Sequence, residues 1–162
     1  MSDPVLIDPH TFGDEQTCFG CGPNNPRGWR LRFWIDGDAV ITRFVPPKGE
    51  DGPPGIFHGG LQATLCDELA GWVLVGLRER MGFTTSMRVR YSRPLRIGTE
   101  ILGRGWIVAE DGPTVTIKTT LEQDGRVGCR ATLGFRVLDK EAAEKAMQTT
   151  LPQSWLRFCR DP

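Results

Sequence analysis

Asp67 lies nine residues after His58, in the run His58-Gly59-Gly60-Leu61-Gln62-Ala63-Thr64-Leu65-Cys66-Asp67-Glu68-Leu69. A carboxylate in the middle of an apolar run is costly to bury unless it is paired or used. When used, it takes a proton from water or attacks an electrophile directly. Glu68 is a second acid, but it is turned about 100° round a helix from Asp67, so the two are expected to face different sites. The His-Gly-Gly turn that opens the run is a further resource. A helix start has N–H groups without intrahelical partners and a partial positive charge, and glycine lets another group come close. The plain alternative is a tight turn leading into a helix with a salt-bridged structural acid. His58 itself either holds the turn or touches what binds there.

These residues need a long helix, expected from about Gly59 to Arg80 with Gly82 as its stop. Helical spacing puts Gly60, Thr64, Asp67 and Gly71 on one small, polar stripe, while Leu61, Leu65, Leu69, Trp72, Val73 and Leu77 cover most of the rest. A helix apolar most of the way round is enclosed. Around it the pattern is β. Leu31–Ile35 and Ala39–Val45 flank an Asp36-Gly37 turn. A strand with period two runs from Phe83 to Ser92, followed by strands near 99–110, 114–122 and 126–138 with Asp-Gly turns between them. Tight turns make neighbouring strands antiparallel. The expected class is α+β: about six antiparallel strands wrapped around one helix, with edges that dimerisation would cover. Residues 1–17 are expected to be an arm, 18–138 the domain, and 139–162 a short helix capped by Asp139 plus a tail.

Composition narrows the partners. Lysine plus arginine equals aspartate plus glutamate at 20 each, so net charge excludes a general nucleic-acid or membrane-surface binder. The five cysteines have no regular spacing, and no basic-then-apolar leader opens the chain. Both features fit a cytoplasmic protein. Cys18-x-x-Cys21 supplies two metal ligands at most. His10 is the one nearby candidate for a third, so the motif reads as a turn.

Three segments together resemble a known family. They are His58-Gly59-Gly60 with its acid at Asp67, the strand end Arg90-Tyr91-Ser92-Arg93-Pro94, and the leading Cys18-Phe19-Gly20-Cys21-Gly22-Pro23-Asn24-Asn25-Pro26. The chain is similar to hotdog-fold acyl-CoA thioesterases, the PaaI-like branch of the 4-hydroxybenzoyl-CoA thioesterase superfamily, over roughly residues 18–138. The resemblance implies hydrolysis of an acyl-CoA to acid and CoA, with no dissociable cofactor. It implies a homodimer, or a dimer of dimers, with the active site between one chain's helix and the other's strand. Asp67 is then base or nucleophile, and Gly59 or Gly60 donates an N–H to the oxyanion. Thr84 takes a hydroxyl position that places the water or base, with Thr85 as the fallback on the opposite strand face. Arg88, Arg90 and Arg93 are candidates for the phosphates of coenzyme A, or else a solvated sheet face. Trp72, Phe57 and Phe83 are candidates for an aryl or aliphatic pocket. One departure stands out: the family often has an Asn or Gln shortly before the histidine, whereas Gly49–Pro54 has no amide side chain. The rival readings are a non-catalytic acyl-ligand-binding or scaffold protein, and last a hydratase, whose Asp67–His58 pair would have to face one site.

Overall fold

The computed structural model describes residues 3–160. In chain order the elements are β1 (Val5–Leu6), β2 (Phe33–Asp36), β3 (Ala39–Phe44), α1 (Gly59–Arg78), β4 (Gly82–Tyr91), β5 (Ile101–Asp111), β6 (Thr114–Gln123), β7 (Arg126–Val137) and α2 (Lys140–Met147). A 3-10 segment, Gln153–Phe158, closes the described chain. The strands form one antiparallel sheet ordered β1-β2-β3-β5-β6-β7-β4. That is seven strands rather than about six. The addition is β1, which pairs Val5 with Ile35 inside the segment expected to be an arm. Two residues leave no periodicity to read, so only the sheet reveals them. Residues 1, 2, 161 and 162 of the expected arm and tail lie outside the described residues.

The sheet curls around α1, which contacts every strand from β2 to β7. This is the α+β hotdog arrangement. The helix has a poor local case for itself, because Gly71 and Gly76 in its interior each cost about 0.5–1 kcal/mol relative to alanine. Burial decides the matter. Leu65, Leu69 and Val73 are wholly enclosed, at roughly 1.5–3 kcal/mol each. Gly103 and Gly105 on β5 make room for them, since a Cβ there would lie 3.1 Å from Leu69 and 2.8 Å from Val73 respectively.

The helix ends two residues before the expected Arg80. Glu79 takes a left-handed conformation, φ 49°, and its N–H caps the carbonyls of Leu74 and Val75. Gly82, expected as the stop, instead begins β4, where a Cβ would strike the Arg136 carbonyl at 2.6 Å. The two ends of the chain meet over the helix. Phe12 packs on Trp72, Trp155 and Phe158, and the Trp155 indole N–H donates to the Phe12 carbonyl at 2.8 Å. Asp139 caps α2 by accepting from the Ala142 N–H at 2.8 Å. No helix among the described residues is long and apolar enough to cross a membrane.

Candidate active site

Asp67 sits in the third turn of α1 and is half-buried, not enclosed as its apolar setting suggests. The Thr84 hydroxyl donates to its Oδ1 at 2.6 Å. That contact depends on an irregularity in β4. Thr84 pairs with Phe135 and Ser86 with the very next residue, Gly134, so Thr85 is an extra residue in the ladder. With regular alternation, Thr84 and Met87 would lie on opposite faces. The bulge puts both on the helix side, Thr84 beside inward Phe135 and Met87 beside inward Leu133. It also turns Phe83 outward, to 42% exposed. The Thr85 hydroxyl bonds the Gly134 carbonyl at 3.1 Å, and a Cβ on Gly134 would lie 2.7 Å from the Ser86 Oγ. Gly134 therefore leaves space for the bulge.

At the helix start, the His58 ring is a cap. Its Nδ1 accepts the Gly60 N–H at 3.0 Å, and its own carbonyl accepts from the Gln62 N–H at 2.9 Å. The Gly60 N–H is thus occupied, whereas that of Gly59 has no partner among the described residues. The Tyr91 hydroxyl ties the turn to the far end of β4 by donating to the Gly59 carbonyl at 2.7 Å. Where an upstream amide side chain is missing, Glu50 holds the loop. Its carbonyl accepts from the His58 N–H at 3.0 Å, and its carboxylate from the Trp29 indole at 2.6 Å. Burial raises the Glu50 pKa. Gln62, which sequence reasoning passed over, is the buried amide near the turn. It donates to the Phe57 carbonyl at 2.7 Å, so it braces the turn.

Asp67 and Thr84 line a cavity of about 410 Å³ whose walls include Trp72, Phe83, Phe135, Phe12, Trp155 and Met147. Arm and tail segments thus help to build the site. Phe57 lies elsewhere, in a cleft of about 380 Å³ with Gly59, Gln62, Tyr91 and Arg93. A further cleft, about 810 Å³, is lined by Arg78, Arg80, Glu110 and Arg136 and holds none of these residues.

Glu68 corrects one expectation, because it lines the same cavity as Asp67. The 100° offset stands, but the Cys18–Cys21 loop folds over the helix and extends the cavity round to the second acid. The Cys18 Sγ lies 3.1 Å from Glu68 Oε1, and the Cys21 N–H points at that sulfur from 3.5 Å. Hydrogen bonding from Cys21 lowers the Cys18 pKa from 9.0 to about 5 against the opposing effect of burial, and the same contact raises that of Cys21. Burial, reinforced by Cys18, raises Glu68 from 4.5 to about 8. The Cys18 thiol donates to Glu68 Oε1 in this contact. His10, the one candidate that sequence offered near the cysteines, bonds Asp14.

The arginine run is divided. Arg88 and Arg90 face outward on β4, paired with exposed Thr132 and Arg130, in a groove with Trp106 and Lys118. Arg93 lies past the strand, in the cleft beside Gly59. The sheet separates the first two from Asp67.

Residues 54–130 match the family model of the thioesterase superfamily. The fold is that of the thioesterase superfamily. A solved thioesterase superfamily protein aligns over 83% of this chain and 68% of its own, with 25% identity and a TM-score of 0.69. A hypothetical thioesterase protein from Streptococcus pneumoniae TIGR4, solved with coenzyme A, aligns over 64% of this chain and 83% of its own, at 23% identity and a TM-score of 0.60. A phenylacetic acid degradation-related protein from Ralstonia eutropha JMP134 aligns over 64% and 80%, at 19% identity and a TM-score of 0.59. The last two likenesses establish the thioesterase fold alone. No curated protein matches the chain.

Proposed function

We propose that this chain is a PaaI-like thioesterase that hydrolyses an acyl-CoA to the free acid and coenzyme A. The observation that carries the reading is the Thr84–Asp67 hydrogen bond, at 2.6 Å, on the wall of an apolar cavity. A hydroxyl that donates to one carboxylate oxygen fixes the carboxylate's orientation and leaves the other oxygen for chemistry. That oxygen takes a proton from water attacking the thioester carbonyl, or attacks the carbonyl itself to give an anhydride that water then opens. Either route places negative charge on the carbonyl oxygen, which an N–H donor must stabilise.

The Gly59 N–H is the donor, and it belongs to a second copy. Asp67 is eight residues along the helix from Gly59, about 12 Å at 1.5 Å per residue, too far to share one carbonyl. β4 resolves the separation. It is the edge of the sheet, its ten residues are mostly exposed, and Thr84 and Tyr91 lie near its opposite ends. Two β4 strands paired antiparallel about a two-fold axis near Met87 set the Thr84 end of one copy beside the Tyr91 end of the other. Tyr91 holds the Gly59 turn, so the pairing brings one copy's Asp67 toward the other's free N–H. It also closes an exposed edge. Two sites result, each made of residues from both chains. His58 acts through the cap that positions the turn, and Arg93 beside the turn is the choice for a coenzyme A phosphate.

Free-thiol release is to be measured across short, long and aryl acyl-CoAs. Turnover of at least one class supports the reading. Saturable acyl-CoA binding without release of thiol in any class replaces it with the ligand-binding alternative.

A further inference from the structure

The cavity that Asp67 lines has an unusual electrostatic lining. Among the described residues its ionisable groups are Asp67, Glu68, Cys18 and Cys21, and no Lys, Arg or His lines it. Three of the four converge. The sulfurs of Cys18 and Cys21 and a carboxylate oxygen of Glu68 all lie within 4.8 Å of one another. We propose that Cys18, Cys21 and Glu68 bind one thiophilic divalent cation of the zinc class, with its fourth coordination position open to this cavity.

The distances fit the ion. Tetrahedral zinc with bonds of about 2.3 Å to sulfur and about 2.0–2.2 Å to oxygen holds its ligand atoms roughly 3.5–3.8 Å apart. The Cys18–Glu68 contact, 3.1 Å, and the 4.8 Å outer limit for the trio bracket that spacing, so small side-chain shifts suffice. Two sulfurs select a thiophilic ion over magnesium or calcium. Three protein ligands and one open position are the arrangement of a zinc that keeps a site for water or another ligand.

The loop is shaped to bring the donors together across 50 residues of sequence. Gly20 packs directly against Glu68, where a Cβ would lie 2.3 Å from the Glu68 Cγ. A Cβ on Gly22 would lie 2.6 Å from the Cys18 carbonyl, and the Gly22 N–H bonds that carbonyl at 3.0 Å. The Cys21 N–H directed at the Cys18 Sγ would stabilise a metal-bound sulfur. None of this depends on the cavity's receiving a thioester, and metal binding is read without any substrate.

The test is elemental analysis of the purified full-length protein from zinc-supplemented cultures, joined to cobalt titration of chelator-treated protein. The expected result is one equivalent of metal per chain and a thiolate-to-cobalt charge-transfer band. Cys18→Ser, Cys21→Ser and Glu68→Gln each lose stoichiometric binding, while Cys159→Ser, at a thiol outside the cavity, keeps it. If a variant fails to fold, wild type alone decides: zinc must shield Cys18 and Cys21 from alkylation, read by mass spectrometry. Wild type that takes up no cobalt, or alkylation of Cys18 and Cys21 at equal rates with and without zinc, overturns the proposal. Retention of the charge-transfer band in the folded Cys18→Ser variant does so as well.

Discussion

Replacing Thr84 by valine keeps the side chain's shape and removes only the hydroxyl that bonds Asp67 Oδ1 at 2.6 Å. Hydrogen bonds to a charged group contribute about 1.5–3 kcal/mol, and leaving the acceptor unpaired adds to the loss. Asp67 is half-buried and Thr84 is exposed in the single chain, which favours the lower end of the range. At about 1.4 kcal/mol per factor of ten, kcat is expected to fall roughly tenfold, and at most about a hundredfold. KM should move little, because the hydroxyl orients the carboxylate and does not hold the acyl group. Thr84→Ser restores the donor and should recover most of kcat. The assay is continuous thiol release on the best acyl-CoA, with kcat and KM fitted separately and the melting temperature measured for each variant. Wild-type kcat in Thr84→Val would refute the positioning role. So would a serine variant as slow as the valine one at equal stability.

Gly134→Ala should act on the same contact from a distance, since its methyl would lie 2.7 Å from the Ser86 Oγ at the Thr85 bulge. Lower kcat with an intact fold by circular dichroism is the expected outcome. Arg93→Ala should raise KM for acyl-CoA severalfold, whereas Arg88→Ala, outward on β4, should leave it within about twofold of wild type. Saturation kinetics on both variants check this. Cys18 in metal-free protein should remain reactive in acid. Its pKa is lowered from 9.0 to about 5, so the thiolate persists as pH falls to 6, where an ordinary thiol is about 0.1% ionised. The weaker nucleophilicity of a low-pKa thiolate offsets much of that, leaving an alkylation advantage of about tenfold over a free cysteine peptide. Site-resolved mass spectrometry at pH 6 measures it.

The elements that sequence made legible are those with local causes. The three Asp-Gly turns are hairpins, with Gly37, Gly112 and Gly125 at φ 61°, 54° and 72°. The apolar run after His58 is the central helix, and Asp67 and Thr84, sixteen residues of intervening chain apart, do meet. What was hidden had non-local causes. Phe83, Thr85, Met87, Val89 and Tyr91 alternate as one face on paper, yet one extra residue at Thr85 turns Phe83 out and Thr84 in. That bulge is set by the partner strand's Gly134, about 50 residues away. Glu79 caps the helix in a conformation usually left to glycine, so the glycine at 82 misled. Glu68 was separated from Asp67 by helix geometry, and only the Cys18–Cys21 loop, folded back over the helix, rejoins them in one cavity. Trp155 and Phe12 share no sequence signal that predicts their contact.

The most direct test of the account is the hydrolysis rate of Asp67→Asn on an acyl-CoA that wild type turns over. The variant keeps an oxygen to accept from Thr84 but loses the base or nucleophile. A loss of kcat on the order of 10²–10⁴ with the fold intact is the predicted result. Hydrolysis at the wild-type rate would contradict the account.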